Sequence, residues 1–366
     1  MIVYPVMITT AQIINALATV QEPDLKKDLV TLNMIKDITI NDLQVSFTVV
    51  LTTPACPLKE KIEQDCIAAI HQHVDAQAQV TVHMEARVIN TREDKLVLPG
   101  VKHIIAVVSG KGGVGKSTMA SNLALALHEL GAKVGLLDAD IYGPSVPIMF
   151  GIHETPDMKV VDGKNIMIPV ERHGIKLMSI GFMIQPDQAV VWRGPMVSSA
   201  LRQFVNETDW GELDYLVLDM PPGTGDIHLT MGQIIPVSGF VLVTTPQDVA
   251  LADAIKAAVM FEMLPSKIPM LGVIENMSWF TPAELPDNKY FIFGEGGGAR
   301  IAEKFNSQLL GQIPLVAGIR EGGDHGMPAV LDSENPARKA FLQTAQKVAQ
   351  QLAMLSISKS EATNGQ

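Results

Sequence analysis

The 366-residue sequence predicts a doubly wound, mainly parallel α/β domain preceded by a small α+β domain. Three observations predict it. Continuous apolar runs at 104–108, 134–137, 215–218, 240–243 and 271–274 are separated by helix-length segments, which marks parallel strands covered on both faces. A glycine-rich turn over 110–117 follows the first run directly and opens an apolar helix. Before residue 90 the pattern changes to period-two strands and two helical stripes.

The elements follow in chain order. Ile13, Ile14, Leu17 and Val20 recur at helical spacing, so 10–20 reads as a helix. An apolar segment around Ile38, an Asn41-Asp42 turn and the alternation Leu43, Val45, Phe47, Val49, Leu51 predict a hairpin. Pro57 opens a second helix with the stripe Leu58, Ile62, Ile67, Ile70 and Val74, and Val80, Val82 and Met84 alternate as a further strand. This α-β-β-α-β unit occupies 1–89, the polar stretch 90–100 with Pro99-Gly100 reads as a linker, and 101–355 forms the α/β domain. A last helix is expected over 336–352, and 356–366 is expected to be a disordered tail.

Composition narrows the function. Lys and Arg number 28 against 39 Asp and Glu, a net charge of −11 that disfavours a nucleic-acid or anionic-membrane surface. With 47% apolar and 18% charged residues there is material for a large core, which excludes a disordered chain. Two cysteines, Cys56 and Cys66, make no disulfide framework and fit a reducing compartment. No apolar run reaches the roughly 18 residues that span a bilayer. The first basic residue is Lys26, so the positive start of a signal peptide is missing. A soluble, cytoplasmic protein without membrane or nucleic-acid partners is expected.

The strongest signal is Gly110-Lys111-Gly112-Gly113-Val114-Gly115-Lys116-Ser117, a full G-x-x-x-x-G-K-[ST] between strand and helix. Its glycines let consecutive backbone N–H groups, through Thr118, curl around phosphate at a helix N-terminus whose dipole favours negative charge. Lys116 would reach the β- and γ-phosphates and Ser117 would ligate Mg²⁺. The next strand ends in Asp138-Ala139-Asp140, where carboxylates face the ligand crevice. Asp140 is assigned to orienting the attacking water and Asp138 to supporting the metal shell. Asp219 closes the 215–218 run as the acid that holds Mg²⁺ through water, and 220–226 (MPPGTGD) forms a stiff loop suited to sensing the γ-phosphate.

Other signals read as structure. The glycine string 294–299 is a loop before a helix, because another motif already occupies the first strand–helix turn. His71 and His73 diverge on their helix and read as solvated, Cys66 reads as core, and the 19 methionines read mostly as core filling.

The strings SGKGGVGKST, LLDADIYGPSVP, VVWRGPMVSSALRQF, LDYLVLDMPPGTGD and IENMSWF make the chain resemble the Mrp/ApbC family of iron–sulfur cluster carrier ATPases over about 100–350. This family belongs to the deviant Walker-A, MinD/ParA-like P-loop NTPases. Thr53-Pro54-Ala55-Cys56-Pro57 makes the first 90 residues similar to an iron–sulfur assembly domain often fused in front. The resemblance implies binding of ATP and Mg²⁺, slow hydrolysis to ADP and phosphate, and a homodimer in which Lys111 touches the partner's nucleotide. It also implies delivery of clusters to client apo-proteins or exchange with scaffold proteins, and a contact from Asn276 to the adenine edge. One departure stands out. The family's C-x-x-C, two of which bridge a [4Fe–4S] cluster across the dimer, is absent: the segment after Asn276-Met277-Ser278 reads WFTPAELP, and no cysteine follows Cys66. Cys56 is then the candidate ligand, since a thiol at a helix start is expected to have a lowered pKa. A nucleotide-dependent scaffold without its own cluster and a MinD/ParA-like positioning ATPase are the competing functions.

Overall fold

The computed structural model describes residues 8–90, 92, 97–183, 194–264, 266–282 and 284–364. Residues 91 and 93–96 of the expected linker, and Trp192-Arg193 of the VVWRGPM string, lie outside the described residues. The chain divides into two compact units: residues up to Ile89 together with those from Ala353 on, and Asn90–Leu352.

In the first unit, α1 (Thr10–Leu17) starts at a capping box. Thr9 Oγ1 accepts from the Gln12 N–H, and the Gln12 side chain accepts from the Thr9 N–H. Ile13 and Leu17 are buried, whereas Ile14 is 37% exposed and leaves the predicted stripe. Strands β1 (Ile35–Asn41) and β2 (Gln44–Leu51) form the predicted hairpin, with Asp42 in the left-handed region at φ 53°. Helix α2 (Lys59–His73) then carries the chain to β3 (Gln79–Ala86), which pairs with β2 in parallel. The helix begins after Leu58 and buries Ile62, Cys66, Ala69 and Ile70, so Cys66 replaces Ile67 on the core face. His71 is exposed, yet its Nε2 meets the Ala78 carbonyl at 2.9 Å. A ribbon of two-residue strands, Gln21–Glu22 and Lys27–Asp28, is too short to show in a periodicity.

The second unit is built on β4 (Val101–Ser109), α3 (Lys116–Glu129), β5 (Val134–Asp138), α4 (Val146–Met149), β6 (Val170–Arg172), β7 (Ile175–Ser179), α5 (Gly194–Asn206), β8 (Leu213–Asp219), α6 (Asp226–Ile234), β9 (Gly239–Thr244), α7 (Asp248–Met263), β10 (Met270–Glu275), α8 (Gly297–Lys304), β11 (Leu309–Gln312) and α9 (Ala317–Asp324). Helix α10 (Arg338–Asn364) follows and runs on into the first unit. The eight strands order as β6-β7-β5-β8-β4-β9-β10-β11, and only β6 pairs antiparallel. All five predicted runs are strands of this sheet. Strands β6, β7 and β11 were not predicted, because they are short and β7 carries Lys176 between its apolar residues.

The sheet winds away from β4 in both directions, through β8 and β5 on one side and β9 onward on the other. Such a switch point leaves a crevice at the carboxyl ends of the strands. Register places Asp219 opposite Asp138 on one side and Val107 on the other. The two acids therefore sit side by side next to the phosphate loop.

The expected tail needs correction. Residues 356–364 continue α10, and Ser356 is buried in it. No Gly or Pro interrupts 338–364. Among the described residues no helix is long and apolar enough to cross a membrane.

Candidate nucleotide site

Strand β4 ends at Ser109 and α3 begins at Lys116, so residues 110–115 form the turn at the helix N-terminus. Gly115 caps α3 at φ 85°, and a Cβ there would lie 2.2 Å from Asn276 Nδ2. Glycine answers both demands. Asn276, expected at the adenine edge, donates from Nδ2 to the Val114 carbonyl at 2.9 Å. That bond makes it a brace of the loop, on the wall of the same cleft.

Gly110 is held as tightly. A Cβ there would meet the backbone of α7, 2.1 Å from the Asp253 carbonyl carbon and 2.3 Å from the Ala254 nitrogen. Helix backbone cannot yield as a flexible side chain can. Gly110→Ala is therefore expected to cost at least about 1–3 kcal/mol of stability and to weaken nucleotide binding, read by thermal melting and nucleotide titration. A variant melting and binding like wild type would show that the loop does not need this approach.

Three acids and one lysine converge at the strand ends. Lys116 Nζ lies 2.5 Å from Asp219 Oδ1, 3.5 Å from Asp140 Oδ2 and 3.2 Å from Ser117 Oγ. Asp219 is fully buried and the Lys116 side chain is 6% exposed. Burial pushes the Asp219 carboxyl up, and the neighbouring ammonium opposes that rise.

Asp138, expected to support the metal shell, is held by protein donors on both oxygens. Its Oδ1 accepts from the Asp140 N–H at 3.1 Å, and its Oδ2 accepts from the Val146 N–H at 3.2 Å and the Ser179 hydroxyl at 2.9 Å. With three protein donors on its two oxygens, Asp138 fixes the loop that carries Asp140. Burial, with Asp219 adding to it, pushes its carboxyl up to about 7.

At this site Asp140 Oδ1, Asp219 Oδ2 and Ser145 Oγ are buried without a hydrogen-bond partner among the described residues. Asp140 and Ser145 line one cleft of about 510 Å³ together with Lys111, Lys116 and Ser117. Its far wall is Met277, Leu315, Val316, Ile319 and Arg320. A buried, unpartnered carboxylate oxygen calls for a cation or an ordered water. The hard oxygen set of Ser117 Oγ and Asp219 Oδ2 suits Mg²⁺, which keeps several waters and shares phosphate oxygens. The site therefore fits a magnesium nucleotide.

Sequence reasoning missed Ser145, Ser179, His228 and the wall at 314–320. Ser145 stands inside the DADIYGPSVP string and His228 follows MPPGTGD, so both had a local signal. Ser179 arrives from the unpredicted β7 and had none.

Cys56 is corrected. It lies ahead of Leu58, the cap of α2, and packs half-buried against the core of the first unit. Burial pushes its thiol up and Glu22 and Asp24 add to the rise, against a lowering bond from the Leu58 backbone. Cys66 is fully buried and its thiol is pushed up to about 12, consistent with a core residue. The glycine string is packing: the Gly298 N–H donates to Glu275 Oε2 at 2.6 Å as α8 begins.

Comparison with known proteins places this geometry. Residues 100–349 match the NUBPL iron-transfer P-loop NTPase family, and residues 10–84 match a family of iron–sulfur cluster assembly proteins. An iron–sulfur cluster carrier protein of Synechocystis is 47% identical over 360 residues, covering 96% of this chain and 100% of that protein. The Escherichia coli protein of the same name is 45% identical over 344 residues, covering 93% and 92%. Among solved structures, a nucleotide-binding protein from Archaeoglobus fulgidus in complex with ADP is 36% identical with a TM-score of 0.57, covering 68% of this chain and 95% of that one. With its phosphate loop, its strand-end acids and these matches, the chain belongs to the family of NUBPL-type iron-transfer P-loop NTPases.

Proposed function

We propose that this chain binds ATP with Mg²⁺, hydrolyses it slowly to ADP and phosphate, and couples that cycle to carrying iron–sulfur clusters to apo-proteins. The observation that carries the reading is the convergence of Lys116, Asp140 and Asp219, with two unpartnered carboxylate oxygens, in a chain whose relatives are named cluster carriers. Gly110 to Thr118 would cradle the phosphates with backbone N–H groups. Lys116 would exchange its contacts with Asp140 and Asp219 for the β- and γ-phosphates. Ser117 and Asp219 would hold Mg²⁺, which neutralises phosphate charge when bound. Asp140 would orient the water. In a homodimer Lys111 would add a second positive charge at the partner's nucleotide, and Asn276 would keep the loop closed beneath the base. Apo-proteins and scaffold proteins are the expected partners, in the cytoplasm.

The cluster is cargo, and two readings divide on who holds it. A carrier that ligates its own cargo needs thiolates. A nucleotide-dependent scaffold does not, and the burial of Cys66 with the raised thiol of Cys56 favours the scaffold. Anaerobic reconstitution with iron and sulfide, counting both in wild type and Cys56→Ser, separates them. Iron and sulfide retained by wild type and lost from Cys56→Ser support ligation by the chain. Equal content removes Cys56 from the ligand set. None in either supports the scaffold.

A further inference from the structure

His228 has no task in the chemistry above, yet it is 1% exposed in the first turn of α6. Its Nε2 lies 2.8 Å from the Pro221 carbonyl oxygen and its Nδ1 lies 3.3 Å from that of Gly225. These two carbonyls bracket the loop that follows Asp219. On α7, the ring of Phe261 meets the imidazole edge-on, with centroids 6.2 Å apart and planes at 87°. The ring is thus gripped by a helix and in turn grips a loop.

That loop is tied to the phosphate loop. The Met220 N–H donates to the Val107 carbonyl at 3.1 Å and the Gly223 N–H to the Ser109 carbonyl at 2.9 Å. The Ser109 hydroxyl then donates to the Lys111 carbonyl at 3.0 Å, and Pro222 lines the cleft. Gly223 takes this path at φ 97°, in the left-handed region. Hydrogen bonds at both ends of the short 221–225 backbone thus link His228 to the turn that would hold phosphate.

We propose that His228 is a positioning residue for nucleotide hydrolysis, its ring holding the 221–225 loop against the phosphate end of the cleft through the Pro221 carbonyl, while its backbone N–H donates to the Gly225 carbonyl at 3.0 Å. Burial favours the neutral imidazole, and the nearby Lys116 adds to that preference. A neutral ring carries one N–H, and the shorter contact assigns it to Nε2, donating to Pro221. A glutamine amide presents one such donor at similar reach. A phenylalanine keeps the ring volume against Phe261 and presents none. The inference rests on the ATPase reading above.

The test compares wild type, His228→Phe and His228→Gln in the full chain, by amide exchange at Gly223, by ATP affinity and by ATP turnover. His228→Phe is expected to exchange faster at Gly223 and to lose roughly ten- to a hundredfold in turnover, since small displacements near the reacting group are costly. Its ATP affinity should stay within about threefold, and His228→Gln should recover turnover and protection to within about threefold of wild type. His228→Phe with wild-type exchange and turnover, or His228→Gln as impaired as His228→Phe, overturns the proposal. If His228→Phe does not fold, His228→Asn, whose shorter amide does not reach Pro221, replaces it under the same two outcomes. Wild type without turnover overturns the ATPase reading and with it the role in hydrolysis, while exchange still reports whether His228 holds the loop.

Discussion

Lys116→Ala is expected to lower ATP hydrolysis at least about a hundredfold, the loss typical of removing one charged group that stabilises developing negative charge. The same change acts on the fold. Asp219 is fully buried and Lys116 Nζ sits 2.5 Å from its Oδ1, so the variant leaves a buried carboxylate without its counter-charge. Breaking a buried pair from one side costs about 3–5 kcal/mol, most of it the penalty on the stranded partner. Adding Asp219→Asn should recover part of that loss, so the double variant should melt above Lys116→Ala alone. Phosphate release and thermal melting read both effects. Wild-type turnover in Lys116→Ala would remove the lysine from the site.

Asp140→Ala should separate binding from turnover. Asp140 approaches Lys116 only at 3.5 Å, and its Oδ1 points to no protein donor. A group that orients or deprotonates the attacking water contributes about 10²–10⁴-fold to the rate. The variant is expected to lose turnover by that order while its ATP affinity changes by no more than about threefold. Calorimetric titration beside phosphate release measures the two independently. An equal loss in both would make Asp140 a binding residue, and unchanged turnover would remove it from the chemistry.

What was legible in the sequence was whatever a local pattern encodes. The phosphate loop declares itself because its glycines, lysine and serine are contiguous and bounded by an apolar strand and helix. The buried strands declare themselves because both faces are covered and the apolar residues run together. What was not legible depended on partners far along the chain. Asp138 accepts from Val146 and Ser179, and Ser179 arrives on a strand that Lys176 disguises. Asn276 braces Val114 across 162 positions, a relation that no spacing reveals. Cys56 precedes a helix as expected, but the helix begins only at Lys59, and burial outweighs the helix-start effect on the thiol. The helix past residue 355 was missed because its polar composition suggested a tail, although no breaker stands in it.

Nucleotide-driven carriage is tested most directly by cluster transfer. An apo-enzyme that regains activity on receiving a [4Fe–4S] cluster is mixed anaerobically with iron, sulfide and a small thiol, and its recovery is timed with wild type or Lys116→Ala, with and without ATP and Mg²⁺. Recovery should quicken with ATP in the presence of wild type and stay unchanged by ATP with Lys116→Ala. Recovery that ATP does not alter, at the same rate for both proteins, would contradict a carrier driven by this site.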